Sequence, residues 1–448
     1  MKLQHSLFLV PCSIFVLVSC SVSKQISKSA DAILLKDSAI SKGHIGISIY
    51  EPATNTYWYN YDADKYFIPA SNTKLFTLYA GMKYLGDSLV GARVEEKWDA
   101  IRIYGTGDPT FLHPDFKFQP VFEYARSKKG NTVYIIQNED YNNIGALKPY
   151  GRGWGWDDYN DDYMAERSFF PVYGNVVTFS VDNSRNLKIT PPYFNDYTWW
   201  NFDSTNSFSV KRNRSGNYFS IDGSKPRRQV TIPFLTKESY GVKKFSTNII
   251  AELLSDTLGY KITQATTGPQ FKMYRTIHTQ PTDSLFKPMM HRSDNFFAEQ
   301  TLLMVSNEKL GYMDDEKIID TLLKADLADI PQKPKWVDGS GLSRYNLFTP
   351  LSFIYILNKT RNEFGWDRVK NILATGGTGT LSAYFRKDSG FIYAKTGTLS
   401  NNCALSGYLI TQKGKLLIFS VLTNNYPTAA TPVRRAVEKF LLDIRGKY

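Results

Sequence analysis

The sequence predicts an α/β protein in which one domain is interrupted by a large, mainly β insert. Both ends of the chain combine helical periodicity with β-hairpin signals. The stretch between them instead has short strand-like runs separated by many Gly, Asn, Asp and aromatic residues. With 448 residues, the chain is long enough for two or three domains and a sizeable core. We therefore expect a split α/β domain around a β-rich insertion.

The composition is that of an aromatic-rich globular protein with an excess of positive charge. Aromatic residues make up 15% of the chain, charged residues make up 21%, and the net charge is +12. The basic residues are scattered rather than clustered, so we expect no nucleic acid partner. A basic surface of this kind suits an acidic polymer or an anionic membrane face.

Residues 1–19 have the pattern of a signal peptide rather than of folded structure. Their apolar run from Leu7 to Val18 is too short for a permanent membrane span. It leads into Ser19-Cys20, and the junction resembles the lipobox of bacterial lipoproteins, where Cys20 would carry the lipid. We therefore expect an exported, periplasmic protein that is lipid-anchored to a bacterial membrane. The alternative is an ordinary signal peptide with an incidental cysteine. The mature chain would keep only Cys403 as a free thiol, without an internal disulfide.

The first part of the α/β domain is predicted over residues 20–87. The Ser- and Lys-rich stretch from Ser21 to Lys36 is interpreted as a tether leading into a first helix. Alternating residues from His44 to Tyr50 and from Thr56 to Tyr61 predict a hairpin. A helix with Ser71 in its first turn follows, because apolar residues recur at helical spacing and Gly86 then provides a stop.

A mainly β insert is predicted over residues 88–274, and the second part of the α/β domain over residues 275–448. Strand-like runs in the insert include Arg102 to Tyr104, Thr132 to Ile136, Val176 to Phe179 and Gln229 to Ile232. Helices in the second part are predicted at Phe296 to Val305, Lys317 to Lys324, Pro350 to Lys359 and over the last fifteen or so residues. Strands are predicted there at Phe391 to Lys395, Cys403 to Thr411 and Leu416 to Leu422, the last two as an antiparallel hairpin.

Ser71 and Lys74 are the first candidates for chemistry. They stand three residues apart, so they share one face of the predicted helix within side-chain reach. The field of a helix N-terminus favours a developing oxyanion, and a neighbouring amine can activate a serine without histidine. The spacing alone is a weak signal, because Ser-x-x-Lys occurs four times in the chain. The alternative for Ser71 is a helix cap.

Two further motifs support a site around Ser71. Ser293-Asp294-Asn295 directly precedes a hydrophobic helix, and Lys395-Thr396-Gly397 ends a predicted strand. Each has a structural alternative when taken alone, namely capping for the first and a strand end with an exposed lysine for the second. The sequence has no Gly-x-Ser-x-Gly elbow, no His-Glu-x-x-His and no histidines at ligand spacing. A lysine base is therefore the economical interpretation.

The three motifs match, in order, the serine acyl-transferase set shared by penicillin-binding proteins and serine β-lactamases. Further matching stretches are Tyr104 to Thr110, Trp156 to Asp158, Asp338 to Arg344 and Gly379 to Leu381. From about residue 40 to its C-terminus, the chain resembles the class C low-molecular-mass penicillin-binding proteins, the D-alanyl-D-alanine carboxypeptidase/endopeptidase family. Ser71 and Ser293 lie 222 positions apart, which matches the large insert of that family and is too far for a compact β-lactamase. The resemblance implies a penicillin-binding/β-lactamase-like transpeptidase domain, with an antiparallel sheet flanked by helices.

The resemblance also implies roles for the matched residues. Ser71 would be the acylated nucleophile and Lys74 its general base, with a pKa lowered by burial and by the charge of Lys395. Ser293 would relay a proton to the leaving D-alanine amine, and Asn295 would hold Lys74 and the substrate amide. No metal or organic cofactor is implied.

Substrate binding is implied at the end of the strand that carries Lys395. This lysine, Thr396 and Thr398 would bind the terminal carboxylate of the substrate. The backbone N–H groups of Ser71 and Thr398 would form the oxyanion hole.

The insert would read the side chain of the substrate. Asp158 and Tyr163 match the insert positions that do so in the family, and Leu399 lies just past the Lys-Thr-Gly motif. An aspartate suits the free amine of a diaminopimelate or lysine side chain. The alternative for Asp158 is a turn or cap residue.

The expected function is that of a serine DD-peptidase. It would hydrolyse the D-Ala-D-Ala terminus or the D-Ala cross-links of peptidoglycan stem peptides through an acyl-enzyme on Ser71, and β-lactams would inhibit it. One alternative is a related serine esterase or D-amino-acid peptidase that uses the same residues. Another is a non-catalytic protein that binds peptidoglycan or β-lactams. The intact residues of the three motifs argue against binding alone.

Overall fold

The structure is a computed structural model that describes residues 22–98, 100–137, 147–181, 186–201, 208–223, 229–240, 245–266 and 275–448. The predicted signal peptide and Cys20 therefore lie outside the described residues. Within the ranges given, no helix is both long enough and apolar enough to cross a membrane.

Strands and helices follow one another along the chain with clear bounds. The strands are β1 (His44–Glu51), β2 (Thr56–Tyr61), β3 (Ser88–Lys97), β4 (Ala100–Gly105), β5 (Thr132–Gln137), β6 (Val176–Val181), β7 (Leu187–Thr190), β8 (Thr198–Asn201), β9 (Phe208–Arg212), β10 (Phe219–Gly223), β11 (Val230–Pro233), β12 (Lys237–Tyr240), β13 (Phe245–Asn248), β14 (Ile262–Thr266), β15 (Arg275–Pro281), β16 (Ala374–Thr375), β17 (Ile392–Leu399), β18 (Asn402–Ile410) and β19 (Leu416–Asn424). The helices are α1 (22–30), α2 (Lys74–Tyr84), α3 (Pro120–Ser127), α4 (Ile249–Leu258), α5 (Thr282–His291), α6 (Asn295–Leu310), α7 (Asp315–Lys324), α8 (Pro350–Phe364), α9 (Trp366–Ile372) and α10 (Ala430–Lys447).

A six-stranded antiparallel sheet joins the two ends of the chain. Its strand order is β16-β17-β18-β19-β1-β2, so β1 from the N-terminal part pairs directly with β19 from the C-terminal part. Each face of the sheet belongs to its own apolar core, which on one face includes residues of α2, α5, α6 and α8 and on the other residues of α1 and α10. This is the predicted antiparallel sheet flanked by helices, and the fold class is confirmed.

The N-terminal segment 22–35 differs from the predicted tether. Residues 22–30 are helical and Asp31–Leu35 continues them as a π-helical turn. Ile26, Ala30 and Leu34 recur every four residues and are buried against α10 and the sheet. The prediction of a tether was wrong here, because this apolar stripe outweighs the local enrichment in Ser and Lys.

The insert has its own apolar core and four sheets among the described residues. The largest has the order β14-β5-β4-β3-β15, and the others are β8-β10-β9, β11-β6-β7 and the pair β12-β13. Two helices that were not predicted, α3 and α4, pack against this core. Strand β15 begins at Arg275 and pairs with β3. The boundaries at residues 88 and 274 stay predictions.

Candidate active site

Ser71 lies in a short 3-10 turn, Ala70–Thr73, that leads directly into α2. Two neighbouring segments press closely on this turn. A Cβ atom on Gly397 of β17 would lie 2.6 Å from Pro69 O, and one on Gly341 would lie 1.9 Å from Ala70 O. Only glycine allows such an approach without displacement of the backbone. The turn is therefore held between β17 and the loop that contains Gly341.

Lys74, the first residue of α2, is fully buried and points at Ser71. Its Nζ lies 3.0 Å from Ser71 Oγ, 2.7 Å from Asn295 Oδ1 and 2.7 Å from the carbonyl oxygen of Ser340. The two carbonyl-type oxygens can only accept hydrogen bonds, so they take two N–H groups of Lys74. The remaining position on Nζ faces Ser71 Oγ. It holds a proton when the lysine is charged and a lone pair when it is neutral.

Burial lowers the pKa of Lys74 from its usual value to about 8, against the opposing influence of Asp338, Glu299 and Asp294. Burial is also the main cause that lowers the pKa of Lys395 well below its usual value, followed by the charge of Lys74. The repulsion between the two lysines is therefore felt at Lys395. We expected it at Lys74, where burial and the three carboxylates are instead the causes of the shift.

Ser293 and Lys395 form a second pair beside the first. Ser293 has a left-handed backbone conformation, with φ of 63°, immediately before Asp294 caps α6 by accepting a hydrogen bond from Phe297 N. Lys395 Nζ lies 2.8 Å from Ser293 Oγ and donates to the carbonyl oxygen of Thr396 at 2.6 Å. The sharp turn at Ser293 thus aims this hydroxyl at β17.

These side chains open onto a cleft of about 560 Å³ between the sheet domain and the insert. We call it the serine cleft. Its lining includes Ser71, Ser293, Asn295, Thr398, Leu399, Asp158 and Tyr163. The structure therefore brings most of the predicted site residues to one opening. Lys74 and Lys395 are not part of the lining, but they contact Ser71 and Ser293, which are. Thr396 is buried and lines a separate small cavity with Cys403 and Arg434.

The insert contributes directly to the serine cleft. Asn295 Nδ2 donates to Tyr163 O at 3.3 Å, and the Tyr163 hydroxyl donates to Asp161 Oδ2 at 2.9 Å. Asp158 lies half-buried in a 3-10 turn, Trp156–Asp158, at the rim of the cleft.

Comparison with known proteins places these residues in a family. The family model described as D-Ala-D-Ala carboxypeptidase 3 (S13) matches residues 26–443. The chain belongs to this family. The S13 chain is 24% identical to penicillin-sensitive carboxypeptidase A of Dictyostelium discoideum, across 84% of this chain and 81% of that one. It is also 24% identical to the D-alanyl-D-alanine carboxypeptidase of Actinomadura sp. (strain R39), across 94% and 85% of the two chains.

The fold of the S13 chain is also that of a solved structure. Penicillin-binding protein 4 of Haemophilus influenzae superposes with a TM-score of 0.71 at 18% identity, across 94% of this chain and 99% of that one. The predicted resemblance to the D-alanyl-D-alanine carboxypeptidase/endopeptidase family is therefore confirmed. The family and the penicillin-binding-protein fold support DD-peptidase activity.

The S13 chain also has site residues that sequence reasoning missed. Glu299 is buried and accepts from Ser340 N at 2.6 Å, and its other oxygen lies 3.4 Å from Arg167. Asp338 is buried and accepts from Gly341 N and Ser343 N at 2.9 and 2.6 Å. The two carboxylates hold the loop that offers the Ser340 carbonyl to Lys74.

Asp338 stood inside a stretch that carried the resemblance and Glu299 inside the helix predicted after Asn295, but nothing in their spacing indicated this role. Arg434 of α10, which contacts the Thr398 hydroxyl, had no sequence signal at all. Within the described ranges, no group of three or more His, Cys, Asp or Glu side chains is arranged to hold a metal ion. The expectation of no cofactor stays a prediction.

Proposed function

We propose that this protein is a serine-type DD-peptidase that cleaves D-Ala-D-Ala termini through an acyl-enzyme on Ser71, and that β-lactams acylate the same serine. The observation that carries the proposal is the position of Lys74 Nζ, 3.0 Å from Ser71 Oγ with its other two positions already engaged.

Lys74 acts as the general base in its neutral form. A pKa of about 8 leaves a useful neutral fraction near neutral pH, which an ordinary lysine would lack. The lone pair on Nζ takes the Ser71 proton as Oγ attacks the carbonyl carbon of the penultimate D-alanine. Asn295 and the Ser340 carbonyl hold the other two positions of the amine, so that this lone pair points at Ser71 Oγ.

Ser293 passes a proton to the leaving group. The C–N bond of the tetrahedral intermediate breaks as the terminal D-alanine amine accepts a proton from the Ser293 hydroxyl, and Ser293 in turn receives the proton that Lys74 took from Ser71, so Lys74 is neutral again. Lys395 is 2.8 Å from Ser293 Oγ, and the side chain of Asn295 borders the same space. Water then attacks the carbonyl carbon of the ester on Ser71 as Lys74 removes a proton from the water. The C–Oγ bond breaks as Lys74 returns this proton to Ser71 Oγ, which regenerates the serine and releases the shortened peptide.

The end of β17 binds the terminal carboxylate and the oxyanion. Lys395 carries the cation for this carboxylate, whose arrival favours the protonated lysine. Thr398 lines the serine cleft and adds its hydroxyl to the carboxylate site. Thr396 is buried and lines the separate small cavity, so it supports this site from the other side of β17. The backbone N–H groups of Ser71 and Thr398 form the oxyanion hole, each worth about 3 kcal/mol.

The rim of the serine cleft selects the substrate side chain. Asp158 and Tyr163 from the insert and Leu399 from β17 line the cleft on the side facing the insert. Asp158 pairs with a free side-chain amine of the stem peptide. The same open cleft admits cross-linked peptides, so the activity extends to D-Ala cross-links.

The test of the nucleophile is covalent labelling. We expect penicillin to add one acyl group that peptide mass spectrometry maps to Ser71, and we expect Ser71→Ala to abolish the adduct. An adduct on Ser293 or Ser340, or one that persists in Ser71→Ala, would overturn the assignment. Purified stem peptides then decide between turnover and binding alone.

The protein is exported and anchored by a lipid on Cys20. The support is the lipobox-like sequence at that position, together with membership of the D-Ala-D-Ala carboxypeptidase family, whose proposed substrate here is peptidoglycan. We expect Cys20→Ala to be exported but to leave the membrane fraction, because each buried methylene of a lipid contributes about 0.8 kcal/mol. Unchanged fractionation would mean that something other than the lipid holds the protein.

A further inference from the structure

A second cleft, of about 630 Å³, adjoins the serine cleft. We call it the sheet cleft, because one wall is a face of the sheet β11-β6-β7. That wall is formed by alternate residues of the three strands, together with the residue that precedes β11. These residues are Val176, Thr178, Ser180, Lys188, Thr190, Gln229 and Thr231. The opposite face of the same strands packs in the insert core.

The two clefts share a wall that is one backbone thick. Ser293 and Asn295 line the serine cleft, whereas the alternate residues Arg292 and Asp294 line the sheet cleft. The insert repeats this pattern, with Tyr163 on one side and its neighbour Asp162 on the other. A polymer that enters the serine cleft therefore passes close to the sheet cleft.

Three threonines form a row across the sheet wall. Thr231 is the direct cross-strand partner of Thr178, and Thr178 is the partner of Thr190. Adjacent strands are about 4.8 Å apart, so this row spans about 10 Å. Threonine suits exposed strand positions in general. Here, however, the row faces the opposite wall of a cleft, where its hydroxyls are available to a ligand in a confined space.

The charges around the sheet cleft cancel. Lys188 and Arg292 are opposed by Asp162 and Asp294, and Arg292 lies within 3.5 Å of Asp294. Burial lowers the pKa of His113 on the far wall, which disfavours its charged form. Hydrogen bonding rather than net charge therefore selects the ligand.

The remaining lining is apolar. The far wall consists of side chains from the loop after β4, from positions 165 and 173 before β6 and from the start of α6, which are Leu112, Pro114, Ala165, Tyr173, Phe296 and Phe297; the Tyr173 hydroxyl is already hydrogen-bonded to Thr257. A row of hydroxyls opposite an apolar wall, without net charge, matches a carbohydrate. A sugar offers hydroxyls on its edges and C–H groups on its faces.

We propose that the sheet cleft binds the glycan strand of peptidoglycan while a stem peptide of the same polymer occupies the serine cleft. The proposal rests on the proposed function, because it places the second part of the same substrate. The charged stem peptide is matched by Lys395 and Asp158 in the serine cleft, and the uncharged sugars are matched by the threonine row. The chain would thereby prefer peptides that are attached to glycan.

The experiment compares a glycan-linked stem peptide with the identical free peptide. The variant is Thr178→Val with Thr231→Val, which removes two hydroxyls of the row and preserves side-chain shape and strand propensity. The matched control is Thr263→Val with Thr276→Val, in strands of the five-stranded sheet. We expect the row variant to raise KM for the glycan-linked peptide about tenfold, consistent with the loss of two hydrogen bonds. We expect kcat/KM for the free peptide to be unchanged.

Equilibrium binding to a Ser71→Ala background gives a second readout that needs no turnover. The same tenfold weakening should appear for the glycan-linked peptide and not for the free one. Equal losses on both ligands would mean that the cleft holds peptide or supports the site, and no loss on either would mean that it binds no glycan. Either outcome overturns the proposal. Failure of the wild-type protein to cleave either the free or the glycan-linked peptide would instead overturn the proposed function.

Discussion

Lys74 is the residue at which the electrostatics of the site converge. Its burial disfavours the ammonium form, and Asp338, Glu299 and Asp294 favour it. The result is a pKa of about 8, which is below that of an ordinary lysine but high enough for the amine to be protonated near neutral pH. A base with this pKa can take a proton from serine near neutral pH and can still be protonated in the next step.

The pH dependence of acylation should report this balance. Because only the neutral form of Lys74 accepts the Ser71 proton, the acylation rate should rise with pH and level off above about pH 8. Stopped-flow acylation by a chromogenic β-lactam, with the fold monitored at each pH, measures this rise, which is the ascending limb of the pH–rate profile. A rate that falls as pH rises from 6 to 8 would exclude Lys74 as the base.

Glu299 should set the position of that limb. Burial raises the pKa of Glu299, whereas Arg167 and the hydrogen bond from Ser340 oppose this rise, and the charge of the ionised carboxylate raises the pKa of the lysine. Glu299→Gln can still accept from Ser340 N but removes the charge, so we expect the limb to move to lower pH. We also expect Glu299→Gln to lower the free energy of unfolding by about 1–3 kcal/mol, because the buried ion pair with Arg167 is lost.

Asp315→Asn is the matched control for this prediction. Asp315 contacts the same arginine at 2.6 Å but is not among the groups that shift the pKa of Lys74. It should lower stability and leave the limb in place. A limb that moves equally in both variants would assign the effect to general loosening of the site.

Strand β17 and the serine turn act as one unit at the scale of elements. Along the strand, Lys395 comes before Gly397 and Thr398 comes directly after it. Gly397 itself lies against the backbone that precedes Ser71. Position 397 therefore sets the distance between the nucleophile and the end of the strand.

Gly397→Ala should uncouple the strand from the turn. Its Cβ would lie 2.6 Å from Pro69 O and 3.1 Å from Ser71 N, so one of the two backbones must move. We expect a cost of about 1–3 kcal/mol, seen as a roughly tenfold to hundredfold slower acylation by penicillin. Gly446→Ala, whose Cβ meets no atom within 4 Å, is the control and should acylate normally. Normal acylation of Gly397→Ala would show that the close approach has no part in the chemistry.

At the scale of the whole molecule, the insert and the sheet domain complete one site. Arg167 of the insert reaches Glu299 and Asp315, and the indole of Trp154 donates to Asp338 Oδ2 at 2.9 Å. The insert therefore supports the loop that engages Lys74, as well as lining both clefts. A displacement of the insert would affect both the base and the substrate rim.

Asp158→Asn tests whether the insert selects the substrate. We expect kcat/KM for a stem peptide with a free side-chain amine to fall roughly tenfold to hundredfold, because a charge-assisted hydrogen bond of about 1.5–3 kcal/mol is lost. Acylation by penicillin G, which has no such amine, should hardly change. The penalty should also vanish when the amine is acetylated. Equal losses on all three compounds would make Asp158 a structural residue, and no loss would move attention to Tyr163.

Local pattern was enough for many elements and for the core of the candidate site. The hairpin predicted at His44 to Tyr50 and Thr56 to Tyr61 is confirmed, because alternating residues and a turn signal are short-range features. The helix after Ser71 is confirmed for the same reason. Helix α4 was missed, because its ten residues are flanked by strand-like runs and their apolar face is fixed by distant packing.

The sequence by itself determined which residues are available for chemistry. It placed Ser71 at a helix start, Ser293 and Asn295 before a hydrophobic helix and Lys395 on a strand, and motif order was enough to group them. Their catalytic roles stay predictions.

Only the tertiary structure decided how these groups act on one another. The Ser340 carbonyl bonded to Lys74, the Glu299 carboxylate bonded to Ser340 N and the threonine row of the sheet cleft each join residues that are separated in sequence. Hydrogen-bond partners and burial depend on the packing of the whole chain, whereas periodicity depends only on near neighbours. Since burial and partners set a pKa, the chemistry of the lysine is a property of the fold.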